Sequence, residues 1–207
     1  VLLYEPPEPA CEAYGSAISF PMQEKHPLLP STIYASSKAA SELYVRGFEK
    51  TNKLKMVIVR PFNSYGEFMR GDIYGAVFPK FYDRLVKKKV CTITGSGKQT
   101  RDFTYVEDTC NGIMLSDQTK QAIGKTFNIA QGKETTINKI AQLMTKKYNE
   151  ITGENISSKF THTKDRPGDV KRHLGDISNA KKILGYKPKI SLEEGVTKFI
   201  EWSIQHH

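Results

Sequence analysis

From Ser31 onward the apolar residues alternate between helical spacing and short continuous runs, the pattern of βαβ units rather than of a sandwich or a bundle. The segment from about Ser31 to Thr51 carries Tyr34, Ala35, Lys38, Ala39, Glu42 and Leu43. These are good helix formers with small and apolar members at helical spacing, and they predict the first clear helix. Met56-Val57-Ile58-Val59 has no polar alternation, as expected of a parallel strand covered on both faces. An amphipathic helix is predicted over Ala76 to Lys89, where three terminal lysines suit the negative end of its dipole. A strand over Val90 to Thr94 follows, closed by a Gly95-Ser96-Gly97 turn. Phe103 to Val106 reads as a short extended piece, Glu107 to Leu115 as a helix and Thr126 to Ala130 as another strand. Thr135-Thr136-Ile137-Asn138 opens a helix with Ile137, Ile140, Ala141 and Met144 on one face. The last quarter adds an extended segment near Lys159, a short helix from about Ser178 to Leu184 and a final helix from about Leu192 to Ser203. No internal repeat or low-complexity linker divides the chain, so the boundary between a sheet-based part and a mixed part is soft, near Gly66.

Composition narrows the class. A chain of 207 residues holds one large domain or two small ones, and 38% hydrophobic with 26% charged residues excludes intrinsic disorder. No stretch approaches the ~18 consecutive apolar residues of a membrane span, and the opening Val-Leu-Leu-Tyr-Glu-Pro-Pro lacks a basic region and a long apolar run, so neither a membrane anchor nor a signal peptide is expected. The formal charge of +9 makes an anionic partner worth considering. Its lysines are scattered, as at Lys87 to Lys89 and Lys181-Lys182, without a nucleic-acid-binding motif, so they read as solvated surface and no nucleic-acid partner is expected. Cys11, Cys91 and Cys110 are odd in number and far apart, which suggests neither a disulfide framework nor a zinc site and fits a reducing, cytoplasmic compartment. His162 and His173 have no metal-like spacing, and no metal is expected.

Tyr34 and Lys38 stand four residues apart near the start of the first predicted helix, so both project from one face. An ammonium beside a phenol favours the phenolate, which is what a tyrosine needs to act as a general base. Alone the pair is a weak signal, since chance supplies about one Tyr-x-x-x-Lys in a chain of this composition. Without context it reads rather as a solvated lysine beside a half-buried tyrosine.

Context changes that. Tyr34 is preceded by Tyr14-Gly15, Pro21-Met22, Glu24, His26-Pro27 and Pro30, and followed by Ser37, Ala39, Ala40 and Glu42. Arg60-Pro61-Phe62-Asn63 and Tyr65-Gly66 come next, then Thr100-Arg101-Asp102-Phe103 and Arg166-Pro167-Gly168-Asp169. This order and spacing closely resembles the extended short-chain dehydrogenase/reductase family, specifically its nucleotide-sugar epimerases and dehydratases. The resemblance implies an α/β fold: the C-terminal part of a Rossmann-type doubly wound parallel sheet plus a smaller mixed α/β substrate-binding domain. Residues 1–66, joined by about 98–130, would be what remains of the NAD-binding domain, and 67–207 mainly the nucleotide-sugar domain. Tyr34 would be the catalytic acid/base and Lys38 would bind the nicotinamide ribose of NAD while keeping that tyrosine acidic. Pro61 and Phe62 would line the nicotinamide pocket. Asn63, Arg101 and Arg166 would hold the substrate diphosphate, with Asp169 orienting Arg166 or meeting the ribose. A guanidinium fork suits phosphate better than an ammonium does, and with seven arginines in a lysine-rich chain two in these motifs are informative. A UDP-sugar partner and a homodimer packed through the Tyr34 helix are further implications.

The sequence departs from the family pattern in two places. It contains no glycine-rich turn of the kind that cradles a dinucleotide diphosphate, so the expectation is a chain holding the later part of a longer enzyme and binding NAD poorly by itself. Second, Ala10 occupies the position, four before Tyr14, where relatives usually carry a Ser or Thr, and Glu5 to Pro9 break what should be a buried strand. Dehydratases usually place an Asp-Glu pair at the next two positions, here Cys11-Glu12. Cys11 cannot replace that aspartate, which favours 4-epimerisation of a UDP-hexose through a transient 4-keto sugar. Glu12, a third candidate catalytic residue, keeps a 4,6-dehydratase or a UDP-glucuronate decarboxylase open, and a non-catalytic nucleotide-sugar-binding fragment is the remaining alternative.

Overall fold

The computed structural model describes residues 10–69, 77–157, 159–165 and 170–206. A 3-10 turn over Ala10–Tyr14 opens it, followed by helix α1 (Ile33–Asn52) and strands β1 (Ile58–Pro61) and β2 (Ser64–Tyr65). Then come α2 (Val77–Val86), β3 (Cys91–Thr94), β4 (Thr100–Asp102), β5 (Thr104–Tyr105), α3 (Val106–Gln118), β6 (Thr126–Ile129) and β7 (Glu134–Thr136). The chain continues through α4 (Ile137–Thr152), β8 (Phe160–Thr163), a π turn over Ala180–Leu184 and α5 (Leu192–His206).

Three strand pairs are parallel, and for the one containing Ile58–Pro61 the uninterrupted apolar run Met56 to Val59 predicts it. β1 lies on β6 with Ile58 opposite Thr126 and Pro61 opposite Ile129; β2 lies on β5, and β3 on β8 with Cys91 opposite Phe160. The first strand begins two residues later than its apolar run, because the ladder starts where the Ile58 amide meets the Lys125 carbonyl. Pro61, which cannot donate, closes β1, and pairing resumes when the Phe62 amide donates to Ile129. The antiparallel pair β4–β7, with Arg101 opposite Thr135, was not legible: Glu134–Thr136 is too short and polar to show a strand period.

The helices follow their local signals. Thr32 caps α1 by accepting from the Ala35 amide at 3.1 Å, and Ala35, Ala39, Glu42 and Val45 form its inner face. Helix α2 stops before the three lysines, because Lys88 turns left-handed at φ 50° and the Lys89 amide reaches back to the Arg84 carbonyl. Ala76, its expected first residue, lies outside the described residues. Thr136 caps α4, whose Ile137, Ile140, Ala141 and Met144 are all buried, as predicted.

Two apolar clusters result. One gathers Phe78, Phe81 and Leu85 of α2, Ile140 and Met144 of α4 and Phe199 and Ile200 of α5 around Tyr65 and Tyr105. The other packs Cys11 and Tyr14 of the 3-10 turn against Val59, Phe62, Phe127 and Ile129, with Ile177, Leu184 and Tyr186 returning from late in the chain. Gly15 closes the 3-10 turn at φ 65°, and an added Cβ would lie 1.8 Å from the Leu29 carbonyl oxygen, so only glycine lets the segment before α1 fold back onto this turn.

Candidate active site

Tyr34 and Lys38 occupy the first two turns of α1, both half-buried, and the Lys38 ammonium lies 5.3 Å from the centre of the Tyr34 ring. One further turn along the same face stands Glu42, which is buried. Its carboxylate takes a two-pronged grip from Arg60 of β1, Nε to Oε2 at 2.8 Å and Nη2 to Oε1 at 2.6 Å, and Arg46 adds Nη2 to Oε1 at 2.8 Å. Arg60 Nη1 also donates to the Tyr14 hydroxyl at 2.5 Å, and that hydroxyl donates to Asn128 Oδ1 at 2.7 Å. Asn128 Nδ2 in turn donates to the Met22 and Asp176 carbonyls. Burial works against the charge on Glu42, but the hydrogen bonds and charges of Arg60 and Arg46 hold its carboxyl below the usual carboxylate range. Because Tyr34, Lys38 and Glu42 recur every four residues, clamping Glu42 to β1 fixes the rotation of α1 about its axis and therefore which way Tyr34 and Lys38 face.

A second group assembles where the 3-10 turn meets β4 and the segment after Val170. His173 is fully buried, with Cys11 Sγ and Glu12 Oε1 each 3.7 Å from its Nδ1 and the Gly15 carbonyl 3.3 Å from its Nε2. Beside it on β4, Arg101 Nη1 donates to the Thr100 and Val170 carbonyls. Asn63 Nδ2 approaches the Asp102 carbonyl at 3.4 Å, which puts Asn63 and Arg101 at one edge of β4. The Asp102 side chain is fully buried, where its carboxylate accepts from the amides of Gln131 (2.9 Å), Gly132 (3.0 Å) and Gly175 (3.2 Å). Gly175 is held close: a Cβ there would meet Ala130 Cβ at 2.9 Å and the Phe62 ring at 3.0 Å.

These two buried groups titrate in opposite senses. Burial pushes the Asp102 carboxyl up to about 7, against the pull of the amides it accepts from. Burial, reinforced by the Arg101 charge, pushes His173 down to about 3. An unfolded aspartate titrates near about 4, so above that pH the folded chain holds a proton the unfolded chain has lost, and this stabilisation fades as pH rises toward 7. An unfolded histidine titrates near about 6.5, so below that pH the unfolded chain takes up a proton the folded one refuses, and stability fades as pH falls. From about pH 4 to 6.5 the two slopes cancel. His173→Asn is expected to unmask the aspartate, giving a urea midpoint that falls as pH rises across that window; a midpoint that stays flat would remove Asp102 as the titrating group.

Of the residues singled out from sequence, Glu12, Asn63 and Arg101 come together around the 3-10 turn and β4, and Tyr34 and Lys38 stand on the helix packed against that turn. Pro61 and Phe62 are buried, the Phe62 ring packing 6.3 Å from Tyr14 and 6.2 Å from His173, centre to centre. Arg166 and Asp169 lie outside the described residues. Ala10 begins the 3-10 turn, half-buried. Sequence reasoning assigned no role to Arg60 and Glu42, although a charge ending the apolar run Val57-Ile58-Val59 was a usable signal. Asp102, which enters the sequence reading as a member of the Thr100-Arg101-Asp102-Phe103 segment, has its side chain turned into the core and bound by backbone amides. For His173 no local signal existed, because its neighbours come from residues 11 to 15.

A phenol and an ammonium side by side on one half-buried helical face fit the hydroxyls of a nicotinamide ribose. The glycine-rich turn that would take the diphosphate is absent from this sequence. Among the described residues no group of three or more His, Cys, Asp or Glu side chains could hold a metal ion, and no helix is long and apolar enough to cross a membrane.

Comparison with known proteins sets this geometry beside others. The sequence model of the GDP-mannose 4,6 dehydratase family matches residues 10–199. The putative UDP-glucose 4-epimerase of Methanocaldococcus jannaschii is 33% identical over 91% of this chain and 59% of its own length. The dTDP-D-glucose 4,6-dehydratase of Mus musculus is 33% identical over 92% of this chain and 53% of its own. Among solved structures, the UDP-glucuronic acid 4-epimerase of Bacillus cereus, in complex with UDP-glucuronic acid and NAD, superposes with a TM-score of 0.83 at 29% identity, covering 95% of this chain and 60% of that one. The chain thus spans between half and three fifths of the curated relatives it matches.

Proposed function

Since the chain belongs to the GDP-mannose 4,6-dehydratase family of extended short-chain dehydrogenases/reductases, a family of nucleotide-sugar epimerases and dehydratases with a Rossmann-type fold, we propose that the full-length protein is an NAD-dependent 4-epimerase of a UDP-hexose. The observation that carries this reading is the Tyr34–Lys38 pair, presented by a helix whose rotation the buried Glu42–Arg60 clamp fixes. Bound NAD would supply reversible hydride chemistry at the sugar carbon with no net redox change. Tyr34 takes the proton of the sugar 4-hydroxyl and later gives it back, and Lys38 favours the phenolate between those two events. Lys38 and Tyr34 also hold the nicotinamide ribose. Arg101 and Arg166, with Asn63, bind the diphosphate, and Asp169 orients Arg166. The absence of an aspartate at Cys11 leaves the 4-keto sugar without the usual second acid, which favours turning over and reduction from the other face.

Incubating the full-length protein with NAD and either UDP-glucose or UDP-galactose is expected to interconvert the two. A 4-keto-6-deoxy sugar formed from dTDP-glucose or a UDP-hexose would overturn epimerisation in favour of 4,6-dehydration, the second reading, which the Glu12 side chain beside His173 supports. No turnover of any nucleotide sugar would overturn both.

We also propose a homodimer. Leu43, Tyr44 and Phe48 on the outer face of α1 are 63%, 73% and 56% exposed, and with Ala40, Gly47 and Thr51 they line an apolar groove of about 450 Å³ that a second copy of the helix would cover. Light scattering of the full-length protein is expected to give twice the chain mass.

A further inference from the structure

The clamp that sets helix α1 reaches β1 through a long side chain, so it is only as well placed as the Arg60 guanidinium itself. Nε and Nη2 of that group face Glu42 of the helix. Nη1 serves another part of the chain, donating to the Tyr14 hydroxyl at 2.5 Å and to the Glu24 carbonyl at 2.9 Å. The guanidinium carbon also lies 4.5 Å from the centre of the Tyr14 ring. Tyr14 therefore holds the guanidinium twice, by its ring face and by its hydroxyl.

The polarity of the next bonds follows from what each atom can do. A guanidinium only donates, so the Tyr14 oxygen accepts from Arg60 and its one hydrogen goes to Asn128 Oδ1, 2.7 Å away. Carbonyls only accept, so Asn128 Nδ2 donates to Met22 at 2.8 Å and Asp176 at 3.2 Å, which fixes the amide with its oxygen toward Tyr14. The Asn128 backbone amide donates to Glu24 Oε1 at 3.0 Å. The anchor is itself laced together, the Met22 amide donating to the Leu174 carbonyl and the Asp176 amide to that of Met22. Tyr14 and Asn128 are fully buried and Arg60 nearly so. Burial, against the pull of the Arg60 charge, holds the Tyr14 hydroxyl well above the usual phenol range, so it remains a donor to Asn128.

We propose that Tyr14 is a positioning residue for the proton transfer assigned to Tyr34: by tying the Arg60 guanidinium to the Asn128 anchor, it sets where the Glu42 clamp places α1 and hence where Tyr34 and Lys38 stand. The inference rests on the reading that Tyr34 and Lys38 serve the sugar hydroxyl and the nicotinamide ribose. Without the Tyr14 hydroxyl, Arg60 keeps its grip on Glu42, so the ion pair and the helix survive. What is lost is a fixed point to which they are tied, and guanidinium and helix can shift together. A displacement of about 1 Å is enough, since misplacing a reacting group by that much costs on the order of a hundredfold in rate.

Two variants of the full-length protein separate positioning from stability. Tyr14→Phe keeps the ring under Arg60 and its contacts with His26 and Phe62, and deletes only the hydroxyl. Tyr186→Phe is the matched control: that ring is as buried, in the same apolar cluster, and its hydroxyl donates to the Ala130 carbonyl rather than toward α1. Both are expected to lower the urea midpoint by similar amounts. Only Tyr14→Phe is expected to weaken NAD binding several-fold by calorimetry and to lower kcat about tenfold to a hundredfold, with KM for the sugar nucleotide unchanged. Added to Tyr34→Phe, it should cost much less than it does alone, because it acts through that residue. An NAD affinity that Tyr14→Phe leaves alone or that Tyr186→Phe lowers equally overturns the proposal, as does a loss of kcat that adds in full to that of Tyr34→Phe. Calorimetry needs no turnover, so it decides the proposal even if no UDP-hexose is epimerised.

Discussion

Tyr34→Phe in the full-length protein is expected to lower kcat by about 10²–10⁴-fold, the usual worth of a positioned proton-transfer group, with little change in KM. That factor corresponds to about 3–5 kcal/mol of transition-state stabilisation. The phenylalanine keeps the ring and the packing of the first turn of α1 and deletes only the hydroxyl. On the proposed mechanism that hydroxyl is the base for the sugar hydroxyl, an interaction made in the transition state, so the loss should fall on kcat. Lys38→Met is expected to act differently: it leaves the hydroxyl but removes the ammonium 5.3 Å from the ring, so the optimum of the pH profile should move upward, and NAD affinity should fall with it. Steady-state kinetics across pH distinguish the two, and wild-type turnover in Tyr34→Phe would remove that residue from the chemistry.

The largest loss of stability should come from Arg60. Arg60→Met leaves Glu42, whose side chain is only 8% exposed, a buried carboxylate stripped of its buried guanidinium and held only from the 41% exposed Arg46 side. Breaking one side of such a pair costs about 3–5 kcal/mol. The Arg172–Glu134 contact is a useful contrast, because it is as short, at 2.6 Å, yet Arg172 remains 48% exposed; its loss should cost about 1 kcal/mol or less. Length alone does not separate the two bridges. Burial does. The double variant Arg60→Met with Glu42→Leu should recover much of the loss in denaturant midpoint, since removing both charges removes the desolvation penalty as well. A loss in Arg60→Met no larger than that in Arg172→Met would show that Glu42 finds water or another partner.

How far the sequence foretold this arrangement depends on how local each cause was. The helices around Tyr34 and Ile140 and the parallel strands at Ile58, Cys91 and Thr126 follow from apolar spacing and capping within a dozen residues, and those were legible to within a few positions. The Tyr34–Lys38 pair was legible for the same reason: helical periodicity alone puts both side chains on one face. The strand Glu134–Thr136 was not, because its existence depends on β4, some 30 residues earlier. Glu42 and Arg60 were visible as charges in apolar surroundings, but their partnership required knowing that α1 packs on β1. His173 was furthest from reach. Nothing near it in the chain hints at a thiol and a carboxyl on one side of the ring and a carbonyl on the other.

That last separation bears on how the protein comes into being. Cys11 and His173 are 162 positions apart, Tyr14 and Asn128 are 114 apart, and Met22 bridges to Gly175. Loop closure over such distances is entropically costly and contributes nothing until both ends arrive. Structures dominated by pairings of this range also fold slowly. During synthesis the helix bearing Tyr34 can form early, yet its surroundings wait until residue 175 has left the ribosome. A nascent chain halted before that point would carry α1 and the 3-10 turn without His173 and Gly175, the late partners of Cys11 and Met22.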